Sequence, residues 1–467
     1  LRVITLHNYR CFGDEPQSAR LAPLTLLVGE NSSGKTSVMA MLRALWDIAY
    51  NDLVPDFKRE PYDLGSFEEI AHHRGARGGR AEQFEAGFEF VRPTRGRNGS
   101  PSLPIKMSVK FESQWSAPVP VSRRFDRGDY WIDQDLRGDQ LGNFEFGTPN
   151  GSWKYRDQRM SRDPILRVTF DRIQPVHTLL FGLEYHFRQE TNKSRDITPI
   201  DASPDCTADD VASLSSELFR HISRMPARRD VYSSRLFASA PVRSQPQRVY
   251  SYDLAVADSS GDYTPSFLAQ LALRDPEAWR KIKKELEKFG KSAGLFDEVR
   301  VRHLGKTDAD PFQIQVRKFS NSAKGPFRNL VDVGYGISQV LPVVTEMLKA
   351  NGPNTLLLQQ PEVHLHPSAQ AAIGTLLCDI AAGSGKRQHK QVVVETHSDF
   401  IVDRVRMAVA DTAHQLRPED VALVYFERRG LDVKLHSIAI DALGNIAGAP
   451  RYYRKFFLDE LQRSIGV

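Results

Sequence analysis

Eight residues near the start, Gly29-Glu30-Asn31-Ser32-Ser33-Gly34-Lys35-Thr36, fit the spacing GxxxxGK[ST], with Ser37 next. Glycines let a backbone curl until successive N–H groups converge on phosphate oxygens, and a following helix adds the positive end of its dipole. On this reading Gly29, Asn31, Ser33, Gly34, Lys35, Thr36 and Ser37 hold a nucleotide's phosphates. Lys35 reaches the outermost ones, and the Thr36 hydroxyl holds Mg2+. The flanks suit the loop. Leu24–Val28 reads as a buried strand, and Val38, Leu42, Leu45 and Trp46 form one stripe of an amphipathic helix.

The variant GENSSGKTS, preceded by PLTLLV and a strand with NYRCF, resembles ATPases of the ABC, SMC and OLD group. Three further elements follow in the order that group requires. Asp332–Gln339 stands where the group's signature loop caps a γ-phosphate held by a second subunit, which implicates Gly334, Gly336 and Ser338. Leu356–Pro367 resembles the Walker B strand and its HLHP loop, with Gln359 and Gln360 where two carboxylates are usual. One carboxylate would serve Mg2+ and the other would polarise the attacking water. An amide coordinates weakly and orients a water, but it accepts no proton. Either hydrolysis is slow, or Glu362 or Glu395 supplies the charge, or the residues were altered to trap ATP. Val392–Asp399 resembles the switch region, with His397 toward the γ-phosphate or the lytic water. The candidate catalytic residues are therefore Gln360, Glu362, Glu395 and His397, the metal ligands Thr36 and Gln359, and the cofactors ATP and Mg2+. His364 and His366 are close enough in sequence to suggest a metal pair, although no further ligand stands nearby and a structural role suits them better.

The elements that must position these residues change period along the chain. Phe84-Ala86-Phe88-Phe90 and Ile105-Met107-Val109-Phe111 alternate with polar residues, as do Leu166–Phe170 and Leu179–Phe187, the mark of half-buried antiparallel strands. Helices are expected at Asp209–Ser223 and Pro276–Phe289, and a hairpin through Val299–Val301 and Phe312–Val316. Thr355–Leu358 and Val392–Val394 flank a helix that stops at Gly383-Ser384-Gly385, a βαβ unit. A last strand pair, Val421–Glu427 and Val433–Ile440, precedes a helical tail. The expected fold class is α/β, an ABC-type P-loop ATPase head with a split core, an antiparallel β subdomain and a helical insertion. Its expected parts are 1–55 (first ATPase part), 56–205 (mainly antiparallel β), 206–324 (helical, with the hairpin) and 325–467 (signature, Walker B-like strand, switch histidine and tail). No heptad repeat supports long coiled-coil arms.

At 467 residues, 40% hydrophobic and 26% charged, the composition is that of a soluble globular protein. Three cysteines without CxxC spacing and the lack of a secretory stretch point to the cytoplasm. The net charge of +5 is mild; arginine runs at Arg74–Arg80 and Arg92–Arg97 read as phosphate contacts or as solvated loops without interleaved aromatics. The resemblance is nearest to prokaryotic OLD-like ATPases of antiviral systems, of PtuA and AriA type, and extends to fragments Ala240–Tyr250 and Ile440–Phe457. Only 70 residues follow His397, too few for the TOPRIM nuclease of OLD proteins. The resemblance implies an ATP-hydrolysing sensor or scaffold in phage defence that oligomerises through its heads and controls a separate effector chain, a nuclease or toxin. The alternative is a DNA-repair ATPase acting directly on DNA ends; a third reading is a switch that holds ATP with little turnover.

Overall fold

The computed structural model describes residues 1–50, 55–75, 78–90, 104–128, 130–137, 143–148, 151–156, 197–202, 236–251, 258–305, 310–320, 323–350, 352–383, 389–411, 415–450 and 453. The strands expected at Leu166–Phe170 and Leu179–Phe187, the helix at Asp209–Ser223, the 92–97 arginine run and nearly all of the tail lie outside the described residues. Contacts divide the chain into two units, and the chain passes from one to the other inside the P-loop, between Asn31 and Ser32.

The first unit (Leu1–Arg20, Ser32–Ser234 and Glu427–Leu435) carries a nine-stranded sheet. Its strands are β1 (Val3–His7), β2 (Gln17–Arg20), β4 (Gln83–Phe90), β5 (Ile105–Gln114), β6 (Ala117–Arg127), β7 (Tyr130–Asp135), β8 (Asn143–Thr148), β9 (Gly151–Arg156) and β10 (Ile197–Ala202). They run in the order β10-β9-β8-β7-β6-β5-β4-β1-β2, antiparallel between the neighbours of the meander. The alternation read in the sequence sets the register: Phe84 faces Phe111, Ala86 faces Val109 and Phe88 faces Met107. Phe84 and Phe111 stack at 4.8 Å, with Phe57 set edge-on to both. Helix α1 (Lys35–Tyr50) buries the expected stripe of Val38, Leu42, Leu45 and Trp46; α2 (Phe67–Ile70) is a single turn.

The second unit (Leu21–Asn31, Arg235–Phe426 and His436–Val467) is built on β3 (Leu24–Gly29), β11 (Leu236–Ser239), β17 (Thr355–Gln359), β18 (Gln391–Glu395), β19 (Val421–Arg429), β20 (Asp432–Ile440) and β21 (Ile446–Ala447). The order is β11-β17-β18-β3-β19-β20-β21, and the first five strands are parallel. Continuous apolar strands suit a sheet covered on both faces. One face, with Leu24, Leu26, Leu356, Leu358, Val392, Val394 and Leu423, joins the hydrophobic core. That core also takes residues of α3 (Thr264–Arg274), α4 (Pro276–Ser292), α5 (Tyr335–Leu348), α6 (Pro367–Ala382) and α7 (Asp399–Ala410). The expected hairpin is β12 (Glu298–His303) with β13 (Phe312–Arg317), joined by β16 (Arg328–Asn329); β14 (Phe319–Ser320) and β15 (Ala323–Lys324) form a small ribbon. The fold is thus α/β, with a parallel core that carries the P-loop strand and is interrupted by antiparallel and helical insertions.

Candidate functional site

The P-loop belongs to both units. In the second unit Gly29 ends β3 and Asn31 is exposed. In the first, Ser33, Lys35 and Ser37 are buried, Thr36 is exposed, and the buried Ser33 hydroxyl makes no hydrogen bond. Gly34 has φ +89°, and a Cβ there would lie 2.4 Å from Cys11 Sγ, so the curl tolerates no side chain. Tyr9 Oη donates to the Ser37 carbonyl at 3.0 Å, fixing the first turn of α1. Burial pushes the Cys11 thiol up to about 11, which leaves it a packing group rather than a nucleophile.

In open parallel sheets ligands bind outside the carboxyl ends of the strands. At that edge of the second unit Gln359 pairs in register with Glu395, and Glu395 with Leu27 of the P-loop strand. Residues in register on neighbouring strands project to the same face. That face is opposite the one occupied by Leu358 and Val394, which belong to the helical core. Gln360 sits at φ +39°, and its N–H donates to the Glu395 carbonyl at 2.9 Å. Glu362 is buried, and its Oε1 accepts from Thr396 Oγ1 at 2.9 Å and from the His397 N–H at 2.8 Å. This carboxylate therefore fastens the loop after β17 to the turn after β18; its Oε2 makes no hydrogen bond. Burial raises its pKa, opposed by those two donors and by Arg243. His397 itself is exposed at the strand end.

Neighbouring loops are held as firmly. Ser398 Oγ caps α7 by accepting from the Ile401 N–H at 3.2 Å and donates to Gln370 Oε1 at 2.6 Å. Gln370 Nε2 in turn donates to the Leu365 carbonyl at 2.9 Å. His366 caps α6 through Nδ1, which accepts from the Ser368 N–H at 3.3 Å, and the His364 ring meets Tyr335 edge-on at 5.0 Å. Both histidines thus have structural contacts. Gly334 is the exposed residue preceding α5, and a Cβ on Gly336 would lie 2.6 Å from the His364 carbonyl oxygen. Only glycine lets α5 approach the His364–His366 loop that closely. Ser338 is buried and donates to the Tyr335 carbonyl at 2.8 Å, so its hydroxyl is turned into its own helix.

The sequence reading assigned no role to Arg243, which lies in the fragment Ala240–Tyr250. Its side chain is 2% exposed, and Nη2 donates to the carbonyls of Gln359 at 2.7 Å and Gln360 at 3.3 Å. Its main chain exchanges hydrogen bonds with the buried Gln339 side chain of α5, at 3.1 Å to Oε1 and 3.2 Å from Nε2. One residue therefore joins α5 to the end of β17. Nε and Nη1 of Arg243 and Nε2 of Gln359 are buried without hydrogen bonds. Burial lowers the Arg243 pKa to about 10, against the pull of Glu362. Arg248 grips Asp332 with both terminal nitrogens, one at 3.0 Å, and holds that carboxyl below the usual range. An arginine after a short strand was the one visible signal for these contacts.

Mg2+ is the ion this class of fold implies, and it takes hard oxygen donors, usually one or two carboxylates with substrate phosphates. The strand ends offer the Gln359 amide and the Glu395 carboxylate on one face, a donor set that fits.

Residues 183–403 match the family model described as "AAA domain, putative AbiEii toxin, Type IV TA system". The matched span holds Asp332–Gln339, the Gln359–Gln360 segment and His397, and excludes Gly29–Thr36. No curated protein matches the chain. Among solved structures, the SmcHead bound to the C-winged helix domain of ScpA is similar at TM-score 0.43 and 11% identity, covering 94% of this chain and 97% of that one. An Smc head with an extended coiled coil, bound to the C-terminal domain of ScpA from Pyrococcus furiosus, gives 0.42 and 10% over 99% of each chain. The SMC head domain from Thermotoga maritima gives 0.37 and 10%, over 94% and 98%. The P-loop spacing and the parallel strand order are those of a P-loop nucleotide-binding fold, and the family match covers under half of the chain. No helix among the described residues is long and apolar enough to cross a membrane.

Proposed function

We propose that this chain binds ATP with Mg2+, hydrolyses it slowly, and works as a sensor or scaffold in prokaryotic phage defence, controlling an effector carried by another chain. The observation that carries the reading is the polar edge of the parallel sheet, where amides stand at Gln359 and Gln360 beside the exposed His397. The P-loop N–H groups and Lys35 bind the phosphates; Thr36 and the strand-end Gln359 and Glu395 would hold Mg2+, which would neutralise phosphate charge. Gln360 orients a water without taking its proton, and His397 holds that water or the γ-phosphate oxygen. Glu362 fixes the backbone that presents His397. Turnover is accordingly below the roughly 1 to 100 per second of dedicated phosphoryl-transfer enzymes. Tyr335 at the start of α5 and Val331 in the turn before it, each about two-fifths exposed, suit a loop that caps a nucleotide on a second copy of the chain. ATP-dependent pairing of heads is then the signal passed to the effector, in the cytoplasm.

The decisive measurement is calorimetry of ATP with Lys35→Ala at fixed Mg2+. Affinity should fall at least about tenfold, because the cation that neutralises the terminal phosphates is gone. Unchanged affinity would remove the P-loop assignment. The alternative, an ATPase acting directly on DNA, draws on one feature. On β12 and β13, Arg300 and Arg317 stack on Phe327 at 3.7 and 4.2 Å, so cations and an aromatic do interleave there. Salt-dependent binding of duplex DNA by the purified protein would favour it over effector control.

A further inference from the structure

We propose that Glu395, at the end of β18, supplies the carboxylate for the nucleotide's Mg2+, in the place that motif order gives to Gln359 on β17. The assignment rests on the reading of this edge as an ATP site. Gln359 and Glu395 are partners in register, and Glu395 is in turn the partner of Leu27, two residues before Gly29. The carboxylate therefore keeps the face and the depth of the Gln359 side chain and lies one strand, about 4.8 Å, nearer the P-loop strand. Its side chain is buried at the strand end rather than spread into solvent.

Three features of Gln359 count against it as the ion's main ligand. Its amide is neutral, and Mg2+ gives up water for anionic oxygen more readily than for an amide. Its Nε2 is buried without a hydrogen bond, so the environment does not hold the amide in one orientation for a metal. Arg243 donates to its main-chain carbonyl at 2.7 Å, so a buried guanidinium already stands at the end of β17. Glu362 is not the substitute. Its Oε1 is committed to Thr396 and His397, and it leaves the strand end on a loop. Glu395 is the carboxylate that the register itself delivers.

The test is ATP affinity by calorimetry in Mg2+ and in excess EDTA, for the wild type, Glu395→Gln, Gln359→Asp and the double exchange Gln359→Asp/Glu395→Gln. A second readout is the electron paramagnetic resonance line shape of Mn2+ bound with ATP. In the wild type Mg2+ should tighten ATP by about tenfold or more. Glu395→Gln, close to isosteric, should lose most of that tightening, keep the affinity seen in EDTA, and lose the bound Mn2+ signal. The double exchange should recover part of both. Full Mg2+ tightening and an unchanged Mn2+ signal in Glu395→Gln would overturn the assignment while leaving the ATP site standing. A wild type that binds no ATP in either medium would overturn the ATP reading and the assignment together. If Glu395→Gln proves unfolded by circular dichroism, Gln359→Asp decides alone. A second carboxylate beside the first should strengthen Mg2+ dependence, and no change there overturns the proposal.

Discussion

Helix α5 has buried charge at both ends, and the two ends are finished differently. Beyond its C-terminus, Lys349 pairs with Glu346, donates to Tyr263 Oη at 2.6 Å and stands over the rings of Tyr263 and Phe267 at 4.3 and 4.0 Å. Lys390, 2% exposed, donates to the carbonyls of Glu346 and Lys349 at 3.1 and 2.9 Å, closing the last turn. Toward its N-terminus, the cluster of Arg243, Gln339, Gln359 and Glu362 keeps four buried polar atoms without hydrogen bonds: Arg243 Nε and Nη1, Gln359 Nε2 and Glu362 Oε2. Unmade buried hydrogen bonds cost free energy, so a chain retains them where something else takes them up. At the C-terminal end the charged groups are all partnered and act as a staple, although Thr345 Oγ1 there is also buried without a hydrogen bond. At the other end the unpartnered atoms belong to charged and amide groups, and that is where the candidate site lies.

The largest effect that separates the two ends should come from Glu346→Ala. It leaves Lys349 and Lys390 charged and buried without their carboxylate, a loss of about 3 kcal/mol or more in urea unfolding. Nucleotide affinity of the fraction that stays folded should be unchanged. A stable variant with weakened ATP binding would reverse the two roles.

The other end should respond in function more than in stability. Glu362→Gln keeps an acceptor for Thr396 Oγ1 and the His397 N–H, so stability should change by less than about 1 kcal/mol. Glu362→Ala orphans both donors and should lose about 2 kcal/mol. Steady-state ATP turnover should fall severalfold in Glu362→Ala because His397 is no longer presented, and less in Glu362→Gln. Equal loss of turnover in both would make the charge, rather than the positioning, the quantity that matters.

The contrast also marks where the sequence was informative. The P-loop, the switch strand and the βαβ unit are short local patterns, and each occurs at its expected position, down to Gly383 in the left-handed conformation at the end of α6. The roles of the site residues do not follow from position alone. Arg243 meets Gln339 across 96 residues and Gln359 across 116, and no local period encodes such a contact. Strand β6 was missed because its polar inner position, Arg123, is buried on a hydrogen bond from Nη2 to Gln134 Oε1 rather than by an apolar side chain. The stretch 1–55, expected as one ATPase part, contributes to both contact units: β1 pairs with β4, and the contact boundary falls inside the P-loop. Such pairings are set by tertiary packing, which overrides local pattern.

The smallest effect tests the staple by pH. Burial, the dominant cause, lowers the Lys390 pKa from 10.5 to about 8, against the pull of Glu346. Between those values the unfolded chain holds a proton that the folded chain has released, so ν in the unfolded state exceeds ν in the native state and stability rises with pH. Below about pH 8 both states carry the proton and this contribution is flat. From pH 7 to 9 the wild type should gain about 1 kcal/mol from this group, read from urea midpoints. Lys390→Met has no such proton to release. The stability of the wild type minus that of the variant should therefore become more positive across that window, whichever is the more stable at pH 7. A difference that stays flat would mean that water reaches Lys390, and that this end of α5 is no more sealed than the end that holds Arg243.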